Sequence, residues 1–85
     1  MPTICRFRGI KISINWRDHM PPHFHASYGE DEVIVSIPDI EVLEGSMPSK
    51  LKMLLGWAAF HQDELMENWE LAQKKQELFE IEPLK

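Results

Sequence analysis

Three of the four histidines lie in one short stretch next to an aspartate and two prolines, Asp18-His19-Met20-Pro21-Pro22-His23-Phe24-His25. Imidazole nitrogens and carboxylates bind divalent transition metals, and imidazole also transfers protons near neutral pH. On an extended strand, His23 and His25 would project from the same face, about 6–7 Å apart along the chain. This spacing suits two ligands of one metal ion, with His19 or Asp18 as the candidate third ligand.

The residues alone leave three interpretations of this stretch open. In the first, His23, His25 and His19 (or Asp18) bind zinc or another divalent transition metal. In the second, the histidines act without a metal as general acids or bases. In the third, the role is structural: Asp18 and His19 fix the loop through backbone hydrogen bonds, while the other two histidines lie on an exposed face.

Hydrophobic periodicity predicts the strands that position the stretch. Isoleucines alternate with polar residues from Ile10 to Trp16, which is typical of a half-buried strand, and Arg8-Gly9 suits a tight turn from a preceding strand. Pro21-Pro22 interrupts the pattern and predicts a stiff loop. The predicted strands are Thr3 to Phe7, Ile10 to Trp16, His23 to Tyr28, Glu32 to Ile37 and a short fifth from Ile40 to Leu43.

One long helix is predicted from about Pro48 to about Lys74, with Ser46 as its N-cap. Apolar side chains recur at three- and four-residue spacing and predict a stripe that covers one face of the sheet. The stripe consists of Leu51, Leu54, Leu55, Ala58, Leu65, Trp69 and Ala72. A short tail, 77–85, follows the helix.

The predicted fold class is therefore α+β, as a single domain over 1–85. An antiparallel sheet of four to five short strands (about 3–43) carries one long C-terminal helix packed on one face. The other face would remain open. Strand alternation assigns to it Lys11, Ser13, Asn15, His23, His25 and Ser27.

The helix carries a second apolar group, Met53, Trp57, Phe60 and Leu71, far from the centre of the stripe. Two explanations are open. The tail folds back over this group through Leu78, Phe79, Ile81 and Leu84, or Met53, Trp57 and Phe60 bind a protein partner or a second copy of the chain. His61 is expected to be partly buried and hydrogen-bonded, away from the other histidines.

The composition of the chain argues against several classes of function. The net charge of −5 argues against general nucleic-acid binding, which relies on Lys and Arg to neutralise phosphates. The single cysteine, Cys5, excludes an internal disulfide and fits a cytoplasmic location. No window approaches the roughly 18–20 apolar residues that a membrane span requires.

The whole chain resembles a bacterial family known as domain of unknown function 4160. The most specific part of the likeness is the run Asp-His-x-Pro-Pro-His-Phe-His. Further matching residues are Met1-Pro2-Thr3-Ile4, Ala26, Tyr28-Gly29, Gly45, Pro48, Trp57, His61, Glu64-Leu65, Asn68-Trp69 and Ile81-Glu82-Pro83-Leu84. The resemblance implies a small stand-alone protein, often encoded beside another small protein in a toxin–antitoxin-like pair. It assigns no activity.

The sequence thus favours a protein–protein interaction component of a two-gene module, whose histidine stretch makes polar contacts. The alternative is a metal-dependent or histidine-based hydrolase or nuclease. In that case the candidate catalytic residues are Asp18, His19, His23 and His25, and Lys11 or Arg17 would neutralise a phosphate.

Overall fold

A computed structural model describes residues 2–84, and in it five strands form one antiparallel sheet. Met1 and Lys85, the ends of the predicted domain, lie outside this range. The strands neighbour one another in sequence order, and two helices follow them. The elements are β1 Thr3–Phe7, β2 Ile10–Ser13, β3 His23–Tyr28, β4 Asp31–Ser36, β5 Val42–Ser46, α1 Leu51–Phe60 and α2 Gln62–Gln73. The α+β class and the antiparallel sheet are confirmed.

The first turn is the one that the sequence predicts. Phe7 pairs with Ile10, so that Arg8 and Gly9 form a two-residue loop, and both have positive φ, at 51° and 83°. Two successive positive φ angles characterise the hairpin turn whose twist matches the flanking strands.

One face of the sheet packs against the helices and forms the core. Phe24, Ala26, Val33, Val35 and Ile37 are buried there, as their alternation predicts. The opposite face of the sheet carries Lys11, Ser13, His25 and Ser27 around a cavity, as predicted for an open face.

The prediction of one long helix is wrong, because the helix breaks at His61. This residue has φ −106° and ψ 22°, outside the helical region, and it ends α1 and precedes α2. The break lets each helix bury its own side chains, Leu54, Trp57 and Ala58 on α1 and Leu65, Asn68, Trp69 and Ala72 on α2. The predicted N-cap, Ser46, instead ends β5, and Lys50 precedes the helix.

The second strand is shorter than predicted. β2 ends at Ser13, and the backbone N–H of Ile14 bonds to the carbonyl of Pro2. Trp16, predicted to face the core, is exposed because the chain has left the sheet by then and turns at Arg17, where φ is 52°. The fifth strand also begins later, at Val42 instead of Ile40.

The tail folds back over the helices. This was one of the two explanations for the second apolar group of the helix; the other was a protein partner. Ile81 is buried, and its N–H bonds to the carbonyl of Ile4. The indole N–H of Trp57 donates to the carbonyl of Glu82, at 3.0 Å. The side-chain amide of Asn68 donates to the carbonyl of Phe79 and accepts from the N–H of the same residue.

Candidate metal centre

The loop between β2 and β3 is tied to the end of α2. The N–H of Arg17 donates to the carbonyl of Ala72 at 3.1 Å, and the side-chain amide of Gln73 donates to the carbonyl of Asp18 at 3.0 Å. Both bonds involve the last turn of α2, which contributes a backbone carbonyl to the first and a side-chain amide to the second. They fix the backbone of the loop at Asp18, so the carboxylate points toward the start of β3.

His23 is held in one orientation by bonds on both sides of its ring. It is only 3% exposed and packs against Trp69, with ring centroids 5.2 Å apart. Nδ1 lies 2.7 Å from the carbonyl oxygen of Pro21, and Nε2 lies 2.9 Å from Oδ2 of Asp18. The predicted exposed face at His23 is therefore wrong, because α2 and the loop enclose the ring.

These contacts determine where the hydrogens of His23 lie. A carbonyl oxygen only accepts hydrogen bonds, so Nδ1 carries a hydrogen and donates it to Pro21. In a neutral ring, Nε2 then has a lone pair, which would face the carboxylate of Asp18 without an intervening positive charge. A second proton or a metal cation between the two atoms removes that repulsion. Histidines that bind metals typically donate their other N–H to a backbone carbonyl in this way.

His25 directs a second imidazole at the same carboxylate. Its Nε2 lies 3.4 Å from Oδ2 of Asp18 and 3.3 Å from Nδ2 of Asn15. Asn15 also donates to Oδ2 of Asp18, at 3.3 Å. His25 is partly exposed, and its other side borders the cavity on the open face of the sheet. It therefore connects the cluster with solvent.

Asp18, His23 and His25 have the chemistry and spacing of a metal centre. One ligand atom from each lies within 4.8 Å of the others. Two ligands bound to one ion at 2.0–2.2 Å, with an angle between 90° and 109°, are themselves about 2.8–3.6 Å apart. The distances of 2.9 Å and 3.4 Å from Asp18 to the two rings lie within that range. Two histidines and one carboxylate on one side of an ion leave further positions open.

Asp18 is ionised across the neutral range. Burial alone would raise the pKa of its carboxyl, but the backbone N–H of His19 and the rings of His25 and His23 lower it to about 2. A permanent negative charge beside two imidazole nitrogens attracts a cation.

The structure brings together three of the four candidate residues from the histidine stretch. His19 is adjacent but 87% exposed, with Nε2 3.8 Å from Oδ1 of Asp18 and its ring 5.7 Å from that of His23. Asp18, not His19, thus lies where a third ligand would be needed. Asn15 was predicted only as a polar residue of the open face, and its contacts with Asp18 and His25 had no signal in the sequence.

The predicted partner-binding residues lie elsewhere. Trp57 is only 2% exposed, because its ring packs between Phe7 and Phe24 and the tail covers its edge, so it has no surface to offer a partner. Met53 is partly buried against the core, whereas Phe60 is 85% exposed. His61 is partly buried and hydrogen-bonded to Glu64 and stacks on Trp57.

Comparison with known protein families gives one match. The sequence model of Domain of unknown function (DUF4160) matches residues 9–70, which include the three ligand candidates and both helices up to the last turn of α2. The chain belongs to this family. The members are defined by sequence alone, so membership supports the resemblance without assigning an activity.

Neither the curated proteins nor the solved structures contain a match to the chain. The role of the site therefore has to be argued from its own geometry. Within residues 2–84, no helix is long and apolar enough to cross a membrane.

Proposed function

We propose that the protein is a metal-dependent hydrolase whose divalent transition-metal ion, zinc or a chemically similar metal, is bound by Asp18, His23 and His25. One observation carries the proposal: Nε2 of His23 faces the ionised carboxylate of Asp18 at 2.9 Å while Nδ1 is already committed to the carbonyl of Pro21. A metal ion satisfies this lone pair, the carboxylate and His25 together. A proton on Nε2 of His23 would join that ring to the carboxylate but would not involve His25.

A divalent ion held by Asp18, His23 and His25 would lower the pKa of a bound water molecule, so that hydroxide would be available near neutral pH. The reaction class would then be hydrolysis of an ester or amide, in which the water oxygen bonds to the carbonyl carbon, the bond from that carbon to the leaving group breaks, and the leaving group takes up a proton. His19, exposed beside Asp18, is the candidate for carrying that proton.

The first experiment is elemental analysis of protein purified without chelator or affinity tag. We expect about one equivalent of zinc or another divalent transition metal per chain, and its loss in the variant His23→Ala/His25→Ala. His61→Ala is the matched control, because His61 also pairs with a carboxylate but has no second histidine beside it. Circular dichroism establishes that all three proteins are folded.

The reaction itself is tested with p-nitrophenyl acetate, a general ester probe. Turnover should require the metal, stop on addition of chelator, and be absent from the double variant. The proposal is wrong if the wild-type protein contains no metal, or if the double variant retains as much as the wild type. In that case the His23–Asp18 pair is a buried ion pair with a structural role.

A second candidate function, a component of a two-gene toxin–antitoxin-like module, is supported by one feature of α1. Phe60 is 85% exposed and borders a groove of about 440 Å³ formed with Gly56, Pro83 and Leu84. A large aromatic side chain in such a position is a common anchor in interfaces with a protein partner or a second copy. Trp57 contributes only the buried wall of this groove.

This candidate is tested by co-expressing the chain with the product of the adjacent gene, and by light scattering of the chain alone. Phe60→Glu should abolish the complex or the dimer, whereas Glu67→Gln on the exposed face of α2 should not. A monomer that never co-purifies with the neighbouring product would contradict it. Arrest of growth by one of the two products, relieved by the other, would establish the toxin–antitoxin relation.

A further inference from the structure

The open face of the sheet carries a cavity of about 370 Å³ that begins at His25, one of the proposed metal ligands. Strand pairing places Ser13 opposite His25, His25 opposite Ile34, and Ile34 opposite Glu44. These four residues form one row across β2, β3, β4 and β5. A ligand in the cavity therefore contacts the histidine at one point and the outer strands about 10 Å further on, since neighbouring strands lie about 4.8 Å apart.

The wall of the cavity contains a hydroxyl group that has no hydrogen-bond partner within residues 2–84 and remains accessible. Ser13 is only 2% exposed and lines the cavity, yet its side chain forms no hydrogen bond with any other residue in the range 2–84. No fully buried polar side-chain atom of the described residues lacks a partner, so the Ser13 hydroxyl is open to the cavity. It is therefore available to donate to, or accept from, a group bound there.

The charges around the cavity are unequal at its two ends. Lys11 lies on β2, whereas Glu32 and Glu44 lie on β4 and β5. The register pairs Glu32 with Ser46, so the two glutamates are diagonal neighbours, about 7–8 Å apart at their Cα atoms. Among the described residues, neither carboxylate has a cationic partner within 4.0 Å. Two unpaired carboxylates at this separation suit one cationic group between them.

We propose that the cavity binds a peptide segment with a lysine or arginine side chain, whose cationic group lies between Glu32 and Glu44. The hydroxyl of Ser13 then bonds to the peptide backbone, and the unequal charges fix the direction of the segment. Binding of this peptide does not depend on the proposed function. Its hydrolysis at the metal site would be a further step, and that step rests on the proposed function. The excess of carboxylates argues against a phosphodiester in the same place.

The test is calorimetric titration with two blocked tripeptides, acetyl-Ala-Arg-Ala-amide and acetyl-Ala-Gln-Ala-amide. Each is added to metal-loaded protein and to protein stripped with chelator. We expect the arginine peptide to bind at least about tenfold more tightly, and Glu32→Gln and Glu44→Gln each to remove most of that difference. Glu30→Gln is the matched control, because Glu30 lies in the exposed turn before β4 and does not line the cavity.

Equal affinity for the two peptides, or an arginine preference that survives both glutamate substitutions, would overturn the proposal. Displacement of the arginine peptide by inorganic phosphate at similar concentration would also overturn it, and would identify an anion site at Lys11. Arginine-specific binding to stripped protein that never contains metal would disprove the hydrolase and leave this inference standing. Stoichiometric metal, together with equal affinity for the two peptides, would overturn this inference and leave the hydrolase proposal standing.

Discussion

Two histidines in this chain pair with a carboxylate and pack against a tryptophan, and the comparison separates a candidate site from a local contact. His61 bonds to Glu64 at 2.6 Å and lies 5.2 Å from the ring of Trp57. His23 bonds to Asp18 at 2.9 Å and lies 5.2 Å from Trp69. The distances are nearly the same. The surroundings of the two pairs differ.

His61 and Glu64 are three residues apart where α2 begins, with His61 immediately before the first turn and Glu64 within it, so neighbouring positions in the chain bring them together. Asp18 comes from a loop, His23 from a strand, and a second histidine from the same strand joins them. The loop is held in place by α2. The candidate ligands are therefore brought together by separate segments that are fixed to one another, and variants of the two pairs test this difference.

The largest expected effect is on metal affinity. His23→Ala should weaken zinc binding at least about 100-fold, since loss of even an outer-shell partner of a ligand commonly costs 10–100-fold. His61→Ala should change it less than twofold. Competition with a fluorescent zinc chelator measures both. Equal weakening by the two substitutions would mean that the two pairs are equivalent after all.

The next effect is on stability in the absence of metal. Asp18→Asn removes the charged acceptor of the hydrogen bonds from the backbone N–H of His19 and the side-chain amide of Asn15, and we expect the free energy of unfolding to fall by about 1.5–3 kcal/mol. Glu64→Gln should cost less than about 1 kcal/mol because Glu64 is substantially exposed. Urea denaturation in the presence of chelator measures both values. A larger loss for Glu64→Gln would reverse the comparison.

The thiol of Cys5 is a titratable group that belongs to neither histidine–carboxylate pair. Burial raises the pKa of its thiol from 9.0 to about 11. The neutral thiol is favoured in the folded state, so its contribution to stability is complete below pH 9 and is lost as the pH rises to about 11. We expect this loss to be about 1–2 kcal/mol in wild-type protein and absent from Cys5→Ala. Urea denaturation at pH 8, 9, 10 and 11 measures it, and parallel pH profiles would contradict the assignment.

The smallest expected effect concerns the clamp, the hydrogen bond by which Gln73 at the end of α2 holds the loop at Asp18. Gln73→Ala removes the bond to the carbonyl of Asp18 and should lower stability by about 1 kcal/mol. Zinc affinity should fall by no more than about tenfold, since all three ligands remain. Gln76→Ala, on the exposed residue after the helix, is the control and should change neither quantity. Full zinc affinity in Gln73→Ala would show that the clamp does not position Asp18.

The strands of the sheet could be predicted because their signals are local. The alternation of isoleucines marked β2, the two-residue turn marked the first hairpin, and the prolines marked the loop. The break at His61 could not be predicted, since the apolar spacing continues through it and only the packing of α2 against β3 requires it. The same holds for the end of β2, where Asn15 and Trp16 leave the sheet.

The sequence indicated which residues lie together in the candidate site, but not how they are arranged. The spacing of His23 and His25 placed them on one strand face, and Asp18 was a candidate for the third ligand. Sequence spacing could not show that Trp69 and Pro21 enclose His23, because these contacts depend on how the loop meets α2. It also could not show that His19, with the same chemistry, points to solvent.

The bond from Gln73 to Asp18 joins residues 55 positions apart, and this separation has a consequence during synthesis of the protein. At 5–20 residues per second, about 3–11 s pass between the emergence of Asp18 from the ribosome and that of the residue that holds it. Throughout this interval the nascent chain exposes two histidines and an aspartate that have no fixed arrangement. If Asp18, His23 and His25 bind a metal ion as proposed, its capture is therefore expected only after Gln73 has emerged, when α2 can dock against the loop.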